Sequence, residues 1–82
     1  MYRIYFDSNE RTVEGNYILS IPGSLKDMEP IADRLHDGLR VIIYMGREVE
    51  MEAVLEFNPD PKWGGWTAKA IDGTIKYPDE DQ

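Results

Sequence analysis

The stretch that decides the fold reads Glu48-Val49-Glu50-Met51-Glu52-Ala53-Val54-Leu55-Glu56-Phe57. Its odd positions are all apolar, and its even positions are acidic except Val54. A repeat of two residues sends alternate side chains to opposite faces of a strand, so one face is buried and the other meets water. Just upstream, Leu39-Arg40-Val41-Ile42-Ile43-Tyr44-Met45 is rich in β-branched residues and places Leu39, Val41, Ile43 and Met45 on one face. The two strands are expected to form a hairpin across Gly46-Arg47.

Parity constrains that hairpin, because paired residues share a face and both buried sets are odd-numbered. A two-residue Gly46-Arg47 turn would set Met45 against Glu48 and mix the faces, so an odd-length loop or a bulge is expected. A three-residue loop at Met45-Gly46-Arg47 would put Val41 opposite Met51 inside and Arg40 opposite Glu52 outside.

Further on, Asp72-Gly73 signals a two-residue turn whose central positions need positive φ. It pairs Ala70 with Ile75, Ala68 with Tyr77, and Lys69 with Lys76, which points Trp66 inward with Ala68 and Ala70. Folding residues 65–71 onto residues 48–57 then sets Lys69 beside Glu52 and Val54 beside Thr67, so that Arg40, Glu52 and Lys69 form a charge row. Asn58-Pro59-Asp60-Pro61 is turn chemistry, and Gly64-Gly65 lets the strand re-enter through a tight or bulged conformation. Trp63 falls outside the parity argument, at the barrel end or on the surface.

At the N-terminus Tyr2, Ile4 and Phe6 alternate with Arg3 and Tyr5, and a second strand is expected within Val13–Ile21, with Tyr17, Leu19 and Ile21 on one face. The partner of the Tyr2–Phe6 strand is set by no tight turn. Pro22-Gly23 is read as the stop of the second strand. From Ser24 to Asp37 the spacing of Leu25, Met28, Ile31 and Leu35 changes to three and four residues. Ser24 reads as an N-cap with Asp27 at the capping-box position, Gly38 as a C-terminal cap, and Pro30 as the break before a second short helix ending near His36.

Eighty-two residues without a linker make one small β-rich domain over residues 1–77, with an acidic, frayed tail at 78–82. The expected class is mostly β, a small barrel or roll of five to six antiparallel strands with one short helix; an α+β sheet with one helix is the alternative. From Asp37-Gly38-Leu39-Arg40-Val41 through the two hairpins, about Leu35 to Tyr77, the chain resembles SH3-like small barrels. The aromatic groove and acidic loop of the peptide-binding SH3 family have no matching positions here, so the resemblance implies a fold and not proline-rich ligands.

The absence of cysteine excludes disulfides, thiolate metal sites and cysteine nucleophiles. The start Met1-Tyr2-Arg3-Ile4-Tyr5-Phe6 is too short and too polar downstream for a secretory apolar region, and no run reaches membrane-spanning length, so a cytoplasmic protein is expected. A net charge of −7 with scattered cations disfavours direct binding of DNA or RNA.

No motif identifies a reaction, and no cofactor or metal is expected. His36, the only histidine, lies near Asp33 and Asp37, but nothing beside it resembles a nucleophile; a surface histidine near a helix end is the better account. The Glu48, Glu50, Glu52 and Glu56 row invites a calcium reading, yet alternate strand positions stand about 7 Å apart, too far to share one ion without a wrapping loop. It reads better as a solvated face. Two functions remain. The first is a non-enzymatic protein-interaction module, binding a protein partner or itself through Ile42, Tyr44, Glu48, Glu50, Glu52 and Trp63, with Tyr5 also facing outward. The second is an acidic inhibitor, antitoxin or nucleic-acid mimic that occupies a basic site on a nucleic-acid-acting partner.

Overall fold

A computed structural model describes residues 1–59 and 65–78. Five strands form one mixed, curled sheet, a half-barrel with one short helix. In chain order they are β1 (Arg3–Tyr5), β2 (Tyr17–Ile18), β3 (Arg40–Met45), β4 (Val49–Asn58) and β5 (Gly65–Ala70), and in space they run β1-β3-β4-β5-β2. Helix α1 (Pro22–Met28) and a 3₁₀ segment, Glu29–Arg34, lie between β2 and β3. The expected mostly-β class holds, but not with every strand antiparallel, because β1 runs parallel to β3 with Ile4 beside Ile43.

The apolar faces meet as the alternation requires. Ile4 and Phe6, Val41 and Ile43, Met51, Ala53 and Leu55, and Ala68 form the buried core with Leu19 and Met28. Removing each large aliphatic or aromatic side chain from water contributes about 1.5–3 kcal/mol, the main return available to so short a chain. Trp66 packs half-buried against this core, edge-on to Phe57 with ring centroids 5.3 Å apart. The curl brings the two sides of the sheet together, and the Phe6 and Tyr17 rings touch at 4.7 Å between centroids.

The β3–β4 loop has the expected odd length, but it lies at Gly46-Arg47-Glu48. Met45 pairs with Val49, Val41 with Ala53, and Arg40 with Val54, so the register is two residues away from Val41 opposite Met51. Gly46 takes φ +58°, a left-handed conformation that costs other residues about 1–2 kcal/mol. Gly65, at φ +127°, opens β5 in a conformation reserved for glycine. The β4–β5 register is also two residues from the expected one: Lys69 stands beside Val54 and Thr67 beside Glu56.

Asp72-Gly73 does not fold the chain back onto β5. That side of β5 belongs to β2, which pairs Tyr17 with Ala68. The chain instead loops out and returns to β4. Ile71 N–H donates to the Glu52 carbonyl at 2.9 Å, and Lys76 exchanges both backbone hydrogen bonds with Glu50. Thr74 fills the gap in the ladder: its hydroxyl accepts the Glu52 N–H at 3.0 Å and donates to the Ile71 carbonyl at 2.7 Å. A side chain thereby satisfies a strand amide that the bulge leaves without a backbone partner.

The second N-terminal strand shortens to two residues, and Pro22 is the opening residue of α1 rather than the stop of a strand. Its fixed φ suits a first helical position. Ile21 is the N-cap, so Ser24 and Asp27 do not form the expected capping box. The buried Ser24 hydroxyl donates to the Tyr5 carbonyl, and the Asp27 carboxylate accepts the Tyr5 N–H at 2.9 Å. These bonds close the outer edge of β1, the edge that an unprotected sheet offers to other chains. Leu25, expected inside, is 52% exposed, because α1 turns Ser24 and Met28 inward instead. The 3₁₀ segment ends at Arg34, so Gly38 belongs to the turn into β3 and caps no helix.

Candidate interaction surface

The outward face of the sheet gathers the side chains singled out in the sequence. Register places Arg3, Ile42 and Glu52 in one row across β1, β3 and β4. The next row holds Tyr5, Tyr44, Glu50 and Lys76, and on the other side Arg40, Val54 and Lys69 form a third. Ile42, Tyr44 and Val54 are half-buried, so each presents part of its surface to water.

The acidic strand is not an acidic surface once folded. Arg3 Nη1 lies 3.4 Å from Glu50 Oε2, and Arg40 Nε lies 2.8 Å from Glu52 Oε1. The second contact is diagonal, since Arg40 pairs directly with Val54. The arginines are the outer members of both pairs, with side chains 50% and 54% exposed against 22% and 32% for the carboxylates. Glu56 is held differently, accepting a hydrogen bond from the Asn16 side-chain amide at 3.0 Å. Glu48 is exposed in the β3–β4 loop.

Tyr44 is anchored from both sides. The Arg3 guanidinium sits 5.0 Å from its ring centroid, and its hydroxyl donates to Asp27 Oδ2 at 2.5 Å. The hydrogen bond to Asp27 raises the Tyr44 pKa above the ordinary phenol value, with burial adding to the shift. The Tyr5 ring meets Tyr44 edge-on at 6.0 Å. Tyr5 and Tyr44 therefore form a corner fixed by α1, and Ile42 and Val54, half-buried like the two tyrosines, are the neighbouring apolar side chains of the face.

Two depressions adjoin it. A polar one of about 470 Å³ is lined by Thr12, Asn16, Glu56, Phe57, Thr67 and Lys69 among others. A smaller one of about 160 Å³ lies between Met1, Ile42, Glu50, Glu52, Thr74 and Lys76. Trp63, the remaining sequence candidate, lies outside the described residues, as does the tail beyond Pro78.

His36 does not meet a neighbouring carboxylate. Its Nδ1 lies 3.0 Å from the Asp37 carbonyl oxygen, while the Asp37 carboxylate accepts the Phe57 N–H at 2.6 Å. Among the described residues no group of three or more histidine or acidic side chains is placed to hold a metal, and no helix is long and apolar enough to cross a membrane.

Three residues that shape the face were not legible in that role from the sequence. Arg3 reaches Glu50 only because β1 lies parallel to β3, a long-range pairing that no turn announces. Asp27 was visible only as a capping residue, and Thr74, just past the Asp72-Gly73 turn, was not singled out. Comparison with known proteins finds no family model, curated protein or solved structure that matches this chain.

Proposed function

We propose that this protein is a protein-interaction module that binds through the outward face of β3 and β4, with Ile42 at its centre, Tyr44 and Val54 beside it, and Glu48, Glu50 and Glu52 along its rim. The observation that carries the reading is the pairing of Arg3 with Glu50 and Arg40 with Glu52 around half-buried apolar side chains. A partly apolar centre inside a polar rim is the usual anatomy of a protein interface. Rim charges that are already paired need little reorganisation when a partner displaces water. Helix α1 packs on β1 and reaches β3 at the Tyr44 hydroxyl, which supports an open face around Ile42. The small curled sheet is compatible with a small barrel-like fold, and the binding surface proposed is this face rather than a proline-recognition groove.

The acidic-inhibitor alternative draws on the net charge of −7. Reversing Glu50 or Glu52 would set lysine against arginine and disturb the sheet itself, so the exposed Glu48 is the cleaner probe. Affinity capture at low and high salt, using Ile42→Thr and Glu48→Lys beside the unaltered chain, separates the two. The module reading expects a salt-resistant partner that Ile42→Thr loses and Glu48→Lys keeps. A partner lost in high salt but retained by Ile42→Thr would contradict it.

A further inference from the structure

We infer that Asp72 is a site of spontaneous backbone modification, where the side chain closes onto the Gly73 nitrogen as a succinimide and reopens as isoaspartate. The chain's other Asp-Gly pair, Asp37-Gly38, is protected by the fold. Each pair forms a turn with both residues exposed, and each glycine takes positive φ, +90° at Gly38 and +83° at Gly73. Glycine favours the reaction because no Cβ hinders approach to its nitrogen. The two pairs differ in their hydrogen bonds. The Asp37 carboxylate accepts the Phe57 N–H at 2.6 Å, and the Gly38 N–H donates to the Leu55 carbonyl at 2.8 Å. Both reacting groups are thus engaged by β4, and ring closure there has to break bonds that the fold has made. Among the described residues neither the Asp72 carboxylate nor the Gly73 N–H has a hydrogen-bond partner.

In the first step the Gly73 nitrogen attacks Cγ of the protonated Asp72 carboxyl. A C–N bond replaces the C–O bond, and the hydroxyl leaves with the amide proton as water. Water then opens the five-membered ring. Attack at Cγ restores aspartate, whereas attack at the α-carbonyl leaves the main chain running through the side chain. Water lost in the first step is regained in the second, so the product has the mass of the starting chain and needs no other reactant. Its backbone is one methylene longer. That methylene falls inside the bulge closed by Thr74, whose hydroxyl donates to the Ile71 carbonyl at 2.7 Å and accepts the Glu52 N–H at 3.0 Å. Lengthening the path from Ile71 to Thr74 pulls that hydroxyl out of place, and the Glu52 N–H loses the partner that completed its strand.

Ageing the full chain for several weeks at neutral pH and physiological temperature tests this. Trypsin cuts after Arg34, Arg40, Lys69 and Lys76, which puts the two pairs in separate peptides, residues 35–40 and 70–76. Electron-transfer fragmentation tells isoaspartate from aspartate of equal mass, and a digest of unaged chain sets the background. The expected result is isoaspartate in 70–76 at severalfold the level in 35–40. Ageing in guanidinium chloride removes the hydrogen bonds and should close most of that gap, which assigns the difference to the fold rather than to the flanking residues. Equal or greater isoaspartate in 35–40 of the folded chain, none in 70–76, or the same bias in denaturant overturns the inference. Amide NMR of the aged chain should show second Glu52 and Thr74 resonances growing in step with the isoaspartate. Unshifted resonances at both, while isoaspartate accumulates, overturn the consequence drawn for Thr74.

Discussion

The Asp27 carboxylate accepts the Tyr44 hydroxyl at 2.5 Å and, through the same Oδ2, the Tyr5 backbone N–H at 2.9 Å. One side chain of α1 thus ties the edge of β1 to the outward face of β3. The candidate surface depends on that tie, because it fixes the ring over which Arg3 lies.

Replacing Asp27 with alanine removes both bonds and leaves a strand N–H without its partner. Hydrogen bonds to a charged group contribute about 1.5–3 kcal/mol each, and partial exposure places this site at the low end. Urea unfolding should show a loss of about 2 kcal/mol for Asp27→Ala and about 1 kcal/mol for Tyr44→Phe, which keeps the ring. A double-mutant cycle should return a coupling between the two residues.

Alkaline pH should weaken the same tie. Tyr44 has its pKa raised in the folded state, chiefly by the hydrogen bond to Asp27. Its contribution is fully present below the unfolded phenol pKa of about 10, and is lost as pH rises from there through the higher folded value. Stability followed from pH 8 upward should fall above about pH 10, and Tyr44→Phe should lessen that fall. An identical slope in the variant would assign the loss to other groups.

Gly23→Ala sets helix propensity against packing. Alanine favours a helix by up to about 1 kcal/mol over glycine, but its Cβ would stand 2.7 Å from Tyr5 Cδ2. The Tyr5 ring is hemmed by Tyr44, and its backbone is held by Ser24 and Asp27, so little room exists for it to yield. Overpacking of this kind costs about 1–3 kcal/mol, so a net loss is expected in thermal or urea unfolding.

In the core, Leu55 is fully buried on β4 beside Ala68 of β5. Leu55→Ala should cost about 2–5 kcal/mol, enough to unfold much of so small a domain. Val54→Ala, on the outward face of the same strand, should cost about 1 kcal/mol or less. Circular dichroism melts of the two variants give the comparison directly.

Much of this architecture was legible from alternation. Val49 to Phe57 repeats with period two over a long run, and Val41 and Ile43 match its parity, so the faces of β3 and β4 and the odd loop between them followed. The offset did not follow, because a shift of two residues leaves every side chain on the same face. Gly46 is the first residue of the loop rather than its centre, a shift that only the pairing of Met45 with Val49 reveals. At Asp72-Gly73 a turn does form, but only Gly73 takes the positive φ expected of both residues, and β2 occupies the edge that a hairpin would have used. Ser24 and Asp27 were noticed for the right chemistry, short side chains that bond to backbone, and assigned to the wrong backbone. The acidic row suggested a charged surface for the same reason: Arg3 stands 47 positions before Glu50, and only the parallel pairing of β1 brings them together.

Hydroxyl-radical footprinting of the chain, free and associated with its partner, tests most directly whether this face is the binding surface. The account predicts that oxidation of Ile42 and Tyr44 falls severalfold on association while Leu25 and Val13, exposed elsewhere, are oxidised as before. Protection of Leu25 or Val13 with Ile42 and Tyr44 unchanged would contradict it.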